Sequence, residues 1–440
     1  MERKIYKQLL EWKNADQHKP LILNGVRQCG KTYILKEFGS REFQTLAYIS
    51  CDKNDELKKV YQGGFDVAKI IRGISALTGV DIIPGKTLIF LDEVQAFPEV
   101  LESLKYFCED APQYHIVVAG SLLGIALHSG ISFPVGKVRT LRLYPMDFEE
   151  FLLAMNERQL LSVMHSGDFD LLTALHGKCT DLLRQYYYVG GMPEAVKSYA
   201  DKGLLNEVRS IQQEILDNYA ADFSKHAPAQ EDPRINMVWR SIVGQLSKEN
   251  KKFVYGAVKK GARAKEFELA IQWLLDAGLA HKVNRCTKPE KPLSFYEDFS
   301  AFKLYMSDCG LMGAMAGTAA KDVLLTDSVF AEYKGAFTEQ YVLQQMVAAG
   351  LRDICYYSAE DSRMEMDFLI QREGELVPIE VKGGNNVKST SLHNYLVSHP
   401  ELHAIRFSLL PYREQTNLTN VPLYAVSQSF GEVGAEGKLP

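Results

Sequence analysis

Gly25, Gly30, Lys31 and Thr32 stand together in the stretch NGVRQCGKTY, which runs from Asn24 to Tyr33 directly after an apolar run. Two glycines followed by Lys-Thr at this spacing make a loop suited to holding phosphates. Glycines let the backbone curl until successive N–H groups point inward at phosphate oxygens. The N-terminus of a following helix adds partial positive charge. Lys31 can then reach the β- and γ-phosphates of a nucleotide, and the Thr32 hydroxyl can ligate Mg2+. On this reading Gly25, Gln28, Cys29, Gly30, Lys31, Thr32 and Tyr33 line the nucleotide. Cys29 reads as a small side chain filling a variable position of the loop.

A second group lies downstream in Leu88-Ile89-Phe90-Leu91-Asp92-Glu93. An apolar strand here delivers Asp92 to its C-terminal edge, where ligands bind in open α/β sheets. Asp92 would share the Mg2+ shell with Thr32, and Glu93 can polarise an attacking water as general base. Gly120-Ser121 closes a later strand. Ser121 there either senses the γ-phosphate or water, or caps the next helix. Lys137, Arg139 and Arg142 surround a fifth strand. One of them, Arg139 foremost, can act as an arginine finger or sensor, in its own chain or across subunits. The alternative is solvated charge at a strand end.

A third set sits near the C-terminus. Met366-Asp367-Phe368-Leu369-Ile370 and Pro378-Ile379-Glu380-Val381-Lys382 both read as strands. Alternation places Glu380 and Lys382 on one face, and Asp367 approaches that face if the strands pair. Two carboxylates and a lysine are what metal-dependent phosphodiester hydrolysis needs. Glu339, on a preceding helix, can add a third acid. The alternative is a hairpin with a solvated polar face.

The elements that must position these residues can be traced along the chain. A helix over 1–20, stopped by Pro20, leads into a strand at 21–23. A helix at 32–38 follows, then strands at 46–50, 87–92, 116–120 and 139–143, with a helical stretch at 55–78 between. Strands alternating with helices indicate a parallel sheet covered on both faces. Residues 147–225 read as mostly helical, broken at Gly190-Gly191-Met192-Pro193. Residues 235–285 read as two or three helices, followed by a short β segment at 293–296, a pattern that suggests a winged helix. Residues 330–425 return to mixed α and β. The last ten residues, GEVGAEGKLP, read as a frayed tail. The triplet Tyr186-Tyr187-Tyr188 reads as helix packing rather than base stacking. The basic stretch from Lys251 to Lys265 either faces DNA or is a solvated face, since Glu266 and Glu268 interrupt it.

With 440 residues the chain is too long for one core, so several domains are expected. A net charge of −5 excludes a polycation that coats nucleic acid along its whole length. No apolar run reaches the ~18 residues of a membrane helix, and the charged, amphipathic MERKIYKQLLEWK lacks a signal-peptide core. The 7 cysteines are scattered without metal spacing, which suggests reduced thiols in a cytoplasmic protein.

Taken together, GVRQCGKT, LIFLDEVQ, LYPMDFEEFL, YYYVGGMPEAV, FKLYMSDCGLM and EMDFLI…PIEVKGG resemble the prokaryotic ATPases of the AAA superfamily that carry a C-terminal DUF4143 domain. The resemblance implies a P-loop, parallel-sheet AAA-type ATPase core over 1–146 and a helical subdomain over 147–230. A winged-helix-like module over 231–325 and an α/β domain similar to the PD-(D/E)xK nucleases over 326–430 would follow. It implies ATP as the nucleotide with Mg2+, and it assigns Lys31 and Thr32 to nucleotide and metal, Asp92 and Glu93 to metal and water, and Ser121 to the sensor position. In the C-terminal domain it points to Glu339, Asp367 and Glu380 as metal ligands and to Lys382 as the nuclease lysine. The family's Gly-Arg before the fifth strand is Gly136-Lys137 here, so no arginine finger carries over directly. The function expected is Mg2+-dependent ATP hydrolysis coupled to DNA binding or processing. The alternative is a nucleotide-dependent protein-interaction switch with a non-cutting nuclease-like domain, whose partner is a second copy or another protein.

Overall fold

The computed structural model describes residues 1–121, 134–248, 251–324, 331–359, 364–384 and 390–430. The expected frayed tail, 431–440, lies outside them. The chain divides into two compact units, one of Glu2–Tyr144 with Asp276–Leu279, the other containing Pro145–Leu275 and the chain from Ala280 onward.

The N-terminal unit contains α1 (Ile5–Lys13), β1 (Leu21–Gly25), α2 (Lys31–Glu42), β2 (Thr45–Ser50), α3 (Asp55–Tyr61), α4 (Val67–Thr78), β3 (Thr87–Asp92), α5 (Glu99–Asp110), β4 (His115–Gly120) and β5 (Arg139–Leu143). Its strands are parallel, in the order β2-β3-β4-β1-β5. The order follows from side-chain character. β3 and β4 are buried along their whole length and take interior places, while β2 and β5 expose alternate residues and form the edges. Gly39 of α2 allows helix and sheet to close up, since a Cβ there would lie 2.8 Å from the Leu46 side chain. The first helix is shorter than the sequence suggests. It ends at Lys13, and the turn before Pro20 is held by the Trp12 indole, which donates to the Lys19 carbonyl at 2.7 Å.

The second unit begins with α6 (Phe148–Ala154), α7 (Arg158–His165), α8 (Phe169–Ala174), α9 (His176–Val189), α10 (Pro193–Lys202), α11 (Leu205–His226), α12 (Asp232–Leu246), α13 (Tyr255–Val258) and α14 (Ala264–Asp276). It continues with β6 (Ala280–Cys286), β7 (Glu297–Met306), α15 (Cys309–Met315), α16 (Ala320–Leu324), α17 (Ala331–Ala348), β8 (Cys355–Ser358), β9 (Glu365–Arg372), β10 (Glu375–Lys382), α18 (Thr390–Ser398), β11 (Ala404–Ser408), β12 (Arg413–Glu414) and β13 (Leu418–Pro422). The strands form one mixed sheet, ordered β12-β13-β11-β10-β9-β8-β6-β7.

Two expectations need correction here. Residues 280–285, read as a helix end, are strand β6, and Leu293–Tyr296, read as β, is a single 3-10 turn. The helical reading has a physical source. β6 buries Ala280, Val283 and Cys286, every third residue, and its register slips by a bulge between Asn284 and Arg285. That burial imitates helical spacing. β6 and β7 form a hairpin, but β6 also pairs with β8 in parallel, so the hairpin belongs to the C-terminal sheet.

The helical layer is tied to this sheet by a buried polar hub. The Asp308 carboxylate accepts from Gly191 N at 2.6 Å, Leu311 N at 2.9 Å and Gln344 Nε2 at 3.1 Å. Tyr186 donates to the Met146 carbonyl at 2.6 Å. Gly191 must be glycine, because a Cβ there would lie 2.0 Å from that same carbonyl oxygen. The tyrosine triplet packs inward, with Tyr187 and Tyr341 ring centres 5.0 Å apart and the Arg209 guanidinium 4.3 Å above Tyr188.

Candidate functional site

In the N-terminal unit the phosphate loop lies at the C-terminal edge of β1, as an open parallel sheet requires of a ligand site. Gln28 and Gly30 have φ of +65° and +95°, so the loop curls through left-handed conformations before α2 begins. Gly25 cannot be replaced, since a Cβ would meet the Leu143 carbonyl oxygen at 2.3 Å. The Lys31 ammonium is folded back on its own loop, donating to the Gly25 and Val26 carbonyls at 2.8 and 2.9 Å. Thr32 donates its hydroxyl to Asp92 Oδ2 at 2.6 Å across 60 positions of sequence. The Glu93 N–H donates to Asp92 Oδ1 at 3.0 Å.

Asp92 is held above the usual carboxylate range, first by burial, with Glu93 adding to the rise and Thr32 and Lys31 opposing it. Glu93 sits at φ +53°, a left-handed conformation uncommon outside glycine, and accepts from the Gln95 amide. Two hard oxygen donors a hydrogen bond apart fit Mg2+, which takes one or two protein oxygens and keeps several waters. Ser121 directly follows β4, the strand between β1 and β3 in the sheet, and is buried.

Some loop residues sit differently from their expected place. The Cys29 side chain is fully buried, its Sγ 3.6 Å from the Leu143 carbonyl oxygen, so that side chain packs the loop onto β5. Tyr33 lies on the exposed side of α2. Arg139 pairs with Leu21, at the edge of the sheet opposite the phosphate loop. The four-residue length of strand from there to Gly25 spans ~13 Å. Within its own chain Arg139 is not brought to the loop. Lys137 forms an ion pair with Glu109 at 2.8 Å.

One partner escaped the sequence reading. Tyr48 on β2 stands beside Asp92, where burial first, then Asp92 and Glu93, push its hydroxyl above the usual range, and the Lys36 ammonium lies 3.6 Å above its ring centre. The signal was the register, since Ser50 pairs with Asp92 and so puts Tyr48 on the Asp92 face one step back.

In the C-terminal unit Glu339 of α17, Asp367 of β9 and Glu380 of β10 converge, with Lys382 beside them. β9 and β10 are antiparallel. Asp367 turns its carboxylate onto β10 and accepts the Val381 N–H at 2.8 Å. The acids are not free. Glu339 pairs with Lys251 on one oxygen. On the other it has the Tyr305 hydroxyl at 3.1 Å and the Lys303 ammonium at 3.7 Å. Lys303 also pairs with Glu365 at 3.1 Å, and Lys382 pairs with Glu380. Burial works against ionisation of Glu339, but Lys251 and Lys303 outweigh it and hold the carboxyl near about 2. Asp367 is driven well above its ordinary range by burial, then by Glu339 and Glu380.

The reading of Glu339, Asp367 and Glu380 as metal ligands is not met by this arrangement. Ammonium groups stand where a cation would, and among the described residues no three His, Cys, Asp or Glu side chains form a metal cage. Lys251 and Lys303 lie in stretches the sequence singles out, the basic segment and FKLYMSDCGLM, but their pairing with these acids follows from the fold and not from any spacing. Lys303 is a fully buried lysine within the apolar end of β7.

Residues 17–152 match the family of AAA domains, residues 334–425 the domain of unknown function DUF4143, and residues 180–322 the domain of unknown function DUF8612. The chain thus carries an AAA domain on its N-terminal side and a DUF4143 domain on its C-terminal side, as the sequence resemblance implied. No curated protein matches it significantly. Among solved structures it is similar to the Walker-type ATPase PABY2304 of Pyrococcus abyssi, at 13% identity and TM-score 0.46, over 72% of this chain and 95% of that one. It is also similar to the ORC2 protein of Aeropyrum pernix in its ADP form, at 14% identity and TM-score 0.30, over 73% and 93% of the chains. The Aeropyrum pernix ORC1 protein in complex with DNA overlaps at 11% identity and TM-score 0.29, over 72% and 91%. At TM-scores this low the likenesses say nothing of what this chain binds. No described helix is long and apolar enough to cross a membrane.

Proposed function

We propose that the protein binds and hydrolyses ATP with Mg2+ at the phosphate loop, and that this cycle is coupled to DNA through the second unit. The observation that carries the first part is the Thr32–Asp92 hydrogen bond of 2.6 Å beside the Lys31 ammonium. Bound Mg2+ would neutralise charge developing on the transferred phosphate. Thr32 and Asp92 would hold the ion. Lys31 would leave its loop carbonyls for the β- and γ-phosphates, and backbone N–H groups of the loop would hold the phosphate oxygens. Glu93 would orient and deprotonate the attacking water. Ser121, at the C-terminal end of β4, would hydrogen-bond the γ-phosphate or that water.

The DNA part is supported by exposed Lys259, Lys260, Arg263 and Lys265 around the start of α14. Basic side chains on one short segment can neutralise phosphates without sequence reading. The test is steady-state phosphate release with duplex and single-stranded DNA at two salt concentrations. Stimulation that weakens with salt supports the coupling; turnover and affinity indifferent to both DNAs sinks it.

A second reading is favoured by the lysines among the C-terminal carboxylates. In it the DUF4143 domain is a nuclease-like fold that does not cut, and ATP toggles a protein-interaction surface. Sedimentation that changes with a non-hydrolysable ATP analogue supports this reading; identical sedimentation speaks against it.

A further inference from the structure

Arg3 lies just ahead of α1 and is buried. Its guanidinium reaches across 26 positions of sequence to donate to the Cys29 carbonyl at 3.0 Å, inside the phosphate loop. A second nitrogen donates to the Tyr144 carbonyl at 2.6 Å, one residue beyond β5. Burying a guanidinium is costly unless its donors are used, and here the rigid fork is given to two backbone carbonyls. Arg3 is held in place by α1, which sits on α2. Tyr6 donates to Glu42 at 2.8 Å, and the Tyr6 and Phe38 ring centres are 5.5 Å apart.

The Cys29 carbonyl belongs to the peptide that joins Cys29 to Gly30, and that peptide is trans. In a planar trans peptide the carbonyl and the following N–H point in opposite directions. Holding the carbonyl toward Arg3 therefore turns the Gly30 N–H away from it. Gly30 opens α2, where unpaired N–H groups and the helix dipole favour anions. The same glycine makes the peptide easy to flip, because φ of either sign is open to it. In the flipped peptide the Cys29 oxygen would face the phosphates in place of an N–H, and would repel them.

We infer that Arg3 is a positioning residue of the nucleotide site, acting through the Cys29 carbonyl to keep the Gly30 N–H turned toward the phosphates. The Tyr144 arm braces the guanidinium against the end of β5, where the Leu143 carbonyl already meets Gly25 and Cys29. A lysine in its place keeps the charge, but its compact ammonium lacks the fork that spans both carbonyls. This role rests on the nucleotide reading of the loop and adds to it a residue outside the Gly25–Thr32 pattern.

The test reads that peptide directly. Cysteine precedes glycine only at Cys29-Gly30 and Cys309-Gly310. The full chain with isotope-labelled cysteine carbonyls and glycine nitrogens therefore gives a carbonyl-selected amide signal for Gly30 in the loop and one for Gly310 as a control. Without nucleotide, Arg3→Met should shift or broaden the Gly30 signal and leave Gly310 in place. In a fluorescent-ADP titration with Mg2+, Arg3→Met should bind about tenfold more weakly than the unsubstituted protein, with Arg3→Lys between the two. A further reading needs no substitution. Saturating Mg2+ and ADP should move the Gly30 signal of the unsubstituted protein and leave Gly310 still. ADP binding that leaves Gly30 in place overturns the role and spares the nucleotide site. An unchanged Gly30 signal or equal ADP affinity in Arg3→Met also overturns the role. Movement of both signals in Arg3→Met would make Arg3 a general support of the fold instead. No ADP binding by the unsubstituted protein overturns the role and the nucleotide site together.

Discussion

Lys31, Thr32, Asp92 and Glu93 were legible because their chemistry is written in short spacings, a loop of two glycines and an apolar strand ending in two acids. Tyr48, Lys251 and Lys303 were not, because each reaches its carboxylate through strand register or a long crossing that no local pattern records. Glu93 separates the roles. With its carboxylate as general base, Glu93→Gln should lower turnover by about 10²-fold or more with nucleotide affinity nearly unchanged, as read by phosphate release beside a fluorescent-nucleotide titration. A collapse of affinity instead would make Glu93 structural. Asp308 is the contrasting case. Asp308→Ala leaves the buried Gly191 and Leu311 N–H groups without an acceptor, which should cost about 3 kcal/mol in urea unfolding of the second unit. ATP turnover per folded molecule tests whether that loss is structural alone.

At the scale of elements, the N-terminal strands were legible because each is a short apolar run bounded by turn residues, and parallel interior strands need no alternation. β6 was not, because a bulge gave it burial at every third residue. α1 ended early because Trp12 and the turn before Pro20 seat it against β4 through two stacked histidines. The rings of His18 and His115 lie 3.7 Å apart at 7°. His115 Nε2 lies 3.2 Å from the Lys13 carbonyl oxygen, and a neutral ring with its proton there donates to it. Burial first, then His18, lowers His115 from 6.5 to about 4. The unfolded chain therefore binds the proton more tightly. Stability is unaffected above pH 6.5 and is lost progressively as pH falls from there toward about 4. The melting temperature should fall over that window, and His115→Gln should flatten that part of the profile. An unchanged profile would mean that His115 is solvated.

At the scale of the whole molecule, three of the stretches that resemble the DUF4143-bearing ATPases converge on packing. LYPMDFEEFL, YYYVGGMPEAV and FKLYMSDCGLM meet at the Asp308 hub, where Met146, Tyr186, Gly191 and Gln344 interlock. They specify how the second unit packs, whereas the phosphate loop and the strand end at Asp92 and Glu93 carry the residues of the nucleotide site. If the basic segment before α14 carries DNA, then replacing Lys259, Lys260, Arg263 and Lys265 by alanine should lower DNA affinity and its salt slope together, leaving DNA-free turnover unchanged. A fluorescence titration at several salt concentrations checks this, and an unchanged slope would move the DNA surface elsewhere.

The central claim is hydrolysis at the phosphate loop, and the most direct test is steady-state phosphate release from ATP with Mg2+, for the full chain beside Lys31→Ala. The account predicts turnover by the unsubstituted protein and a loss of about 10²-fold or more in the variant. Equal release by both proteins, or none by either while Mg2+-ATP is present at saturation, would contradict it.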